Sequence, residues 1–316
     1  LRATRRYDDI IEICKANLAL AEKPAEYLAP LQILADALLR AERYDEAIAA
    51  VKEMATQAGQ LTEADLGFQM DELMISFLAQ AKRYDDAIVL ANRMISTLND
   101  KDARLSQLIA ENADDAALRV QVLKAQEKIR EQRADVLRSL SFVHVRQDRR
   151  DQAIECLRQA IELTPTDAGL NNDLGYMLAD AGMHLDEAER MLVTAVSEVL
   201  WNGVGEDNRQ AAFMDSLGWL YYKRGNFERA HRWLALGAKM KDGQDPVIYD
   251  HLGDVEWRLG HRDEAVRCWN RSLELHDRKV KEEHEHPDEK LVASVKAKLE
   301  QAEAGGKPVV ATATAD

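Results

Sequence analysis

Asp245-Pro246-Val247-Ile248-Tyr249-Asp250-His251-Leu252-Gly253-Asp254, with Arg262-Asp263-Glu264-Ala265-Val266 shortly after it, is the stretch that decides the fold. The Leu-Gly pair lies in one helical pattern and the acid-x-Ala run opens a second. Glycine marks where the first helix must approach its partner closely, since a Cβ there would push the two apart. The same pairing recurs at Leu217-Gly218 with Phe227-Glu228-Arg229-Ala230, and at Leu174-Gly175 with Leu185-Asp186-Glu187-Ala188. Twelve residues separate Gly253 from Ala265 and Gly218 from Ala230, and these alanines are the small residues expected to accept the approach. After Gly175 the spacing is 13, so that turn carries one extra residue.

Working outward, the second-helix pattern also starts at Tyr44-Asp45-Glu46-Ala47, Tyr84-Asp85-Asp86-Ala87 and Arg150-Asp151-Gln152-Ala153, with a weaker copy at Tyr7-Asp8-Asp9-Ile10. The starts at 7, 44, 84, 150, 185, 227 and 262 are spaced by 37, 40, 66, 35, 42 and 35. A period of about 34 residues marks a helix–turn–helix array. Ala153, Ala160 and Pro165 show one second helix in full, small at its start and with proline at its exit, and Ile154, Leu157 and Ile161 fill the helical spacing. The repeated acids, Asp45, Asp85, Asp151, Asp186 and Asp263, open second helices, where a carboxylate favours the helix dipole. They read as architecture and not as catalytic pairs.

Composition agrees. Fifteen glycines and six prolines in 316 residues leave little room for the frequent turns of a β-sandwich. The net charge of −14 argues against a general nucleic-acid binder, which needs a dense Lys/Arg field. No run reaches the roughly 18 apolar residues of a membrane span. Cys14, Cys156 and Cys268 are far apart, lie on apolar helix faces and read as small buried hydrophobes.

Taken together, these motifs resemble the tetratricopeptide repeat family, strongly from Ala134 to Leu275, moderately from Leu28 to Leu98 and partially before that. The resemblance implies an all-α fold, a right-handed α-α superhelix of antiparallel helix pairs, whose concave groove binds peptides or proteins. Three blocks look more narrowly like bacterial proteins of this family, some of them envelope-associated: 172–180, Asp215-Ser216-Leu217-Gly218-Trp219 and 245–254. Some relatives of that kind are lipoprotein adaptors that present substrates to a carboxyl-terminal processing protease.

The expected organisation is TPR-like hairpins over 1–98, the first one truncated; degenerate or inserted helices over 99–133; well-formed hairpins over 134–275; a capping helix over 276–301; and a disordered tail over 302–316. In the 66-residue gap two or more helices are expected, Asp102–Glu111 and Asp114–Glu131, with a turn at Asn112-Ala113-Asp114. The alternative is one long helix from Asp114 to Gln147, since no Gly or Pro interrupts it. Leu291, Val295 and Leu299 at helical spacing suit the solvating cap that a repeat array needs, and Gly305-Gly306-Lys307-Pro308 ends it. Residue 1 is Leu, which reads as a fragment or a processed form, so the compartment stays open between cytoplasm and bacterial envelope. Open array ends expose apolar faces, and homo-oligomer contacts would fall at the Tyr7–Leu20 end.

The site follows from helix geometry around each Leu-Gly pair: three residues before the glycine, one after, then four and five after lie on one face. That face carries Asn172, Tyr176, Ala179 and Asp180; Asp215, Trp219, Tyr222 and Lys223; and Asp250, Asp254, Trp257 and Arg258, with Arg138, Phe142 and Arg146 on the matching face upstream. Trp219, Tyr222 and Trp257 are expected as an aromatic strip, a good interface anchor, unless Trp219 and Tyr222 pack between hairpins. Trp233 and Trp269 read as core, and Trp201-Asn202-Gly203-Val204-Gly205 as an irregular connector. Family members that hold an acidic C-terminal tail use Lys, Asn and Arg at these positions; here they are mostly acidic and would repel it. The expected ligand is therefore a protein or peptide, apolar or aromatic with basic character.

No nucleotide loop, HExxH or GxSxG motif is present. His276, His284 and His286 with Glu282, Glu283 and Glu285 could recruit a metal, but His284 and His286 point about 200° apart on a helix, and a solvated charged cap is the better reading. No catalytic residue, cofactor or metal is assigned. The chain reads as a non-enzymatic protein-interaction scaffold, with the regulatory region of a larger enzyme whose catalytic domain precedes Leu1 as the alternative.

Overall fold

The computed structural model describes residues 2–61, 66–201, 210–283 and 287–310. Among them there are 14 α-helices and no strand. The chain divides into two units, Leu1–Thr164 and Pro165–Asp316. The first holds α1 (Arg2–Leu18), α2 (Pro24–Arg40), α3 (Tyr44–Ala58), α4 (Leu66–Gln80), α5 (Tyr84–Glu111), α6 (Ala116–Arg146) and α7 (Arg150–Leu163). The second holds α8 (Ala168–Ala181), α9 (Leu185–Trp201), α10 (Gln210–Lys223), α11 (Phe227–Ala238), α12 (Pro246–Leu259), α13 (Arg262–Arg278) and α14 (Glu289–Glu303). Within each unit the helices pair as successive hairpins: α2 with α3, α4 with α5, α6 with α7, then α8 with α9, α10 with α11 and α12 with α13. Helix α1, which carries the weaker copy of the second-helix motif, lies on α2.

Every second helix from α3 onward begins at the repeated acidic motif. The turn before it is tight, and its backbone enters the left-handed region at Glu42, Lys82 and Asp148 (φ 59° each), Gly225 (72°) and Gly260 (87°). The turn after α8 uses two such residues, Gly182 and His184, which is where its extra residue goes. The repeated acids also tie hairpin to hairpin. Asp8 meets Arg43, Asp45 meets Arg83 and Asp186 meets Arg224, each arginine lying in the turn of the next hairpin. These pairs are largely solvated, so each contributes at most about 1 kcal/mol.

The motif alanines are fully buried at Ala47, Ala87, Ala153, Ala188, Ala230 and Ala265. The nearest approach to the glycines falls one turn later than expected, although Ala188 O would also lie 3.2 Å from a Cβ on Gly175. A Cβ on Gly175 would lie 2.6 Å from Leu192 Cγ, on Gly218 2.7 Å from Leu234 Cγ, and on Gly253 2.5 Å from the Trp269 ring. The large residue four after each alanine shares its helix face and lies over the glycine.

The gap and the C-terminal region differ from expectation. Asp102–Glu111 is not a separate helix but the end of α5, which runs on because nothing between residues 98 and 111 interrupts it. After the turn, Asp115 accepts from Leu118 N at 2.9 Å and opens α6, one helix of 31 residues; the long-helix alternative describes this stretch. The extended ends of α5 and α6 are joined where Gln126 Nε2 donates to Asp102 Oδ1 (2.9 Å) and Ser106 Oγ (3.0 Å). The capping helix does not start at residue 276. Helix α13 continues to Arg278, a wider turn covers Lys279–Glu283, and α14 starts after Pro287 and the cap residue Asp288, which accepts from Leu291 N at 2.9 Å. Proline removes a donor and restricts the residue before it, so the helix must restart there. His284, His286 and Glu285, with the connector residues 202–209 and the tail residues 311–316, lie outside the described residues.

Candidate functional site

The first helices α8, α10 and α12 carry the expected groove residues, and the structure sorts them into two groups. Asp215, Trp219, Tyr222, Asp250 and Asp254 are all buried. Asn172, Tyr176, Lys223 and Trp257 are half-buried, and Asp180 and Arg258 are exposed.

The buried group is a network between neighbouring helices. Trp219 Nε1 donates to Asp180 Oδ1 at 3.3 Å, joining α10 to α8. Its ring stacks on Tyr222 (4.8 Å) and on His251 of α12 (4.0 Å), with Lys223 5.5 Å from its centroid. His251 Nδ1 donates to Asp215 Oδ1 at 2.8 Å. Burial alone would lower the His251 pKa, but Asp215, and then Asp250 and Asp254, raise it above the ordinary value. Arg258 Nε donates to the Tyr222 hydroxyl at 3.1 Å. Burial pushes the Tyr222 phenol up to about 12 and raises that of Tyr176, the latter with help from Asp180 and Asp215.

On α12 the two acids share a cation. Lys298 Nζ of α14 donates to Asp250 Oδ1 (2.7 Å) and Asp254 Oδ1 (2.6 Å), and Trp269 Nε1 adds a bond to Asp254 Oδ1 at 3.1 Å. Burial raises the Asp250 pKa even though Lys298 opposes it. The expectation of a basic ligand rested on three open carboxylates. Asp215, Asp250 and Asp254 are instead consumed inside the fold, so they do not face a ligand. The expected aromatic strip also gives way. Trp219 and Tyr222 pack between hairpins, and Trp257 packs on Trp269 at 5.9 Å in a separate apolar cluster. Trp269 is fully buried, while Trp233 is only half-buried.

Sequence reasoning missed His251 and Lys298. For Lys298 a signal existed, since it falls on the apolar face of α14 with Leu291, Val295 and Ala302, where a lysine needs a buried partner. Nothing in the local sequence distinguishes His251 from an exposed histidine.

What the face leaves open is centred on α8. Asn172 Oδ1 is buried with no hydrogen-bond partner, one turn from Tyr176 and two from Asp180. In the first unit the matching face of α6 shows Phe142, about half exposed, under the Arg146 guanidinium at 5.0 Å. On α4 burial, and then Asp135, push the Glu72 carboxyl up to about 7. Elsewhere, Glu256 in a cleft between α11, α12 and α13 is met by His231 Nε2 (2.9 Å) and His261 Nδ1 (2.7 Å). The described residues contain no group of His, Cys, Asp and Glu arranged to hold a metal, and no helix long and apolar enough to cross a membrane. Cys14, Cys156 and Cys268 are buried free thiols.

Comparison with known proteins adds the following. Residues 135–167 and 210–238 each match the tetratricopeptide repeat family. Among solved structures, BtubC (BKLC) from P. vanneervenii is similar at 17% identity, covering 75% of this chain and 89% of that one, with a TM-score of 0.48. PilF of Pseudomonas aeruginosa is similar at 18% identity, covering 67% and 95%, with a TM-score of 0.39. At these values neither likeness says what this chain binds. No curated protein matches it in sequence.

Proposed function

We propose that this tetratricopeptide-repeat chain, a protein-interaction scaffold, holds an extended segment of a partner protein along α8 and α10, where Asn172, Tyr176, Asp180 and Lys223 meet it and Arg258 flanks the far end. The observation that carries this reading is the buried Asn172 Oδ1 without a donor. A buried acceptor left unsatisfied costs about 1–3 kcal/mol, and turning the half-buried Asn172 amide toward a bound segment would let a backbone N–H there supply the missing bond. Tyr176 beside it offers an apolar body with a polar tip, a good anchor at low entropic cost. The accessible charges here are mixed, with Asp180 against Lys223 and Arg258, so the segment it suits is polar and apolar in alternation and not strongly basic.

A pull-down comparing the wild-type chain with Asp180→Lys/Lys223→Glu and with Asn172→Leu tests it. Both variants should keep their helical circular dichroism and lose the captured partners. Equal capture by all three chains would overturn this face as the site. Substituting Trp219 is a poor test, because its ring is part of the core.

A further inference from the structure

The segment after α14 folds back onto the second unit. Gly305 turns the chain in the left-handed region (φ 68°), and Gly306 N donates to Gln301 O at 2.9 Å. Val309 N donates to Gln301 Oε1 at 2.8 Å, and Val310 N to Pro308 O at 3.0 Å, closing a tight turn centred on Val309. That turn sorts its side chains: Pro308 and Val310 are buried, while Val309 is 77% exposed. Val310 joins the apolar cluster of Ala265, Trp269, Val295 and Leu299, with Trp257 and Leu291 partly buried against it. The expected disorder over 302–316 therefore does not hold for residues 302–310.

A lone apolar side chain in a glycine-hinged segment has no need to be held this way. Two buried residues flanking an exposed one, with the turn fixed by the Gln301 side-chain amide, seat the segment as a bound peptide would be seated. We propose that the surface of Trp257, Val295 and Leu299 is a docking site for a Pro-x-Val turn of another polypeptide, and that residues 308–310 occupy it in cis. The seated segment itself specifies the occupant: proline fixes the turn at low entropic cost, and valine fills the apolar depression. The Gly305-Gly306 hinge is where the segment swings away, so the site exchanges its own turn for one from a partner. This site is distinct from the α8–α10 face and does not depend on it.

The test uses the full chain and a synthetic peptide of residues 304–310, read by tryptophan emission and by titration calorimetry. Val310→Asp should release the segment, leave the circular dichroism unchanged and shift the emission of Trp257 and Trp269 to the red. The peptide should bind that variant and reverse the shift. It should bind the wild-type chain at least about tenfold more weakly, because the tethered segment competes at high effective concentration. A peptide with aspartate in place of its last valine should not bind. Equal peptide affinity for the two chains, no peptide binding to the variant, or an emission spectrum that Val310→Asp leaves unmoved would each overturn the proposal.

Discussion

Lys298 Nζ lies 2.6 Å from Asp254 Oδ1, although 44 residues separate them, and both side chains are almost wholly buried. A cation from the capping helix thus completes the face of the last hairpin. Removing one partner of such a pair strands the other's charge, at a cost of about 3–5 kcal/mol. Lys298→Ala should lower the stability of the second unit by that order. All five tryptophans lie at or after residue 201, so urea unfolding followed by tryptophan emission reads this unit alone. A midpoint unchanged from wild type would refute the assigned role.

Two glycines should respond oppositely to the same substitution. A Cβ on Gly218 would meet Leu234 Cγ at 2.7 Å, whereas one on Gly67 meets nothing within 4 Å. Gly218→Ala forces α10 and α11 apart and should cost about 1–3 kcal/mol. Gly67→Ala, inside α4, should instead add about 0.5–1 kcal/mol by lowering the entropy of the unfolded chain. Thermal melts of the two variants should move in opposite directions.

The left-handed turn residues offer a further gain. Lys82 sits at φ 59° in the position that Gly225 takes in a later hairpin. A side chain there costs roughly 1 kcal/mol, so Lys82→Gly should be neutral or stabilising despite the greater freedom glycine has when unfolded. A clear loss of stability in a denaturant titration would contradict this account of the turn.

Stability should fall as pH rises, for a different reason in each unit. The Glu72 carboxyl is pushed to about 7 when folded, against roughly 4.3 in an unfolded chain. Between those values the folded state binds more protons, so stability declines with rising pH. Glu72→Gln should flatten that decline between about pH 4.5 and 7, read by hydrogen exchange along α4. His251 is also raised in the folded state. Its contribution is full below the unfolded value near 6.5 and is lost as pH rises through the folded value. His251→Gln should remove that alkaline loss from the tryptophan-detected unfolding of the second unit. An unchanged profile in either variant would rule out its part.

Where the second helices begin was legible in the chain, because Tyr44, Tyr84, Arg150, Leu185, Phe227 and Arg262 each start one. Boundaries failed where breakers were few or were overlooked. The extension of α5 through Asp102–Glu111 has no signal to stop it, and Pro287-Asp288 moved the cap helix some 13 residues beyond its expected start at 276. The candidate site was legible as a face and not as a surface. Asn172, Tyr176, Asp180, Lys223 and Arg258 remain accessible or half-buried there, while Asp215, Trp219, Tyr222, Asp250 and Asp254 turn inward.

The sequence by itself determined the all-helical class, the hairpin register and the glycines at which helices come close. These depend on interactions within a turn or two of the chain, which a 3.6-residue period, a helix-opening acid or a missing Cβ records directly. Only the tertiary structure decided which of the expected groove residues stay accessible. Asp215 finds His251 36 residues away and Asp250 finds Lys298 48 residues away. Whether a carboxylate faces solvent or a buried cation depends on the distance between neighbouring helices, and a repeat period carries no record of that distance.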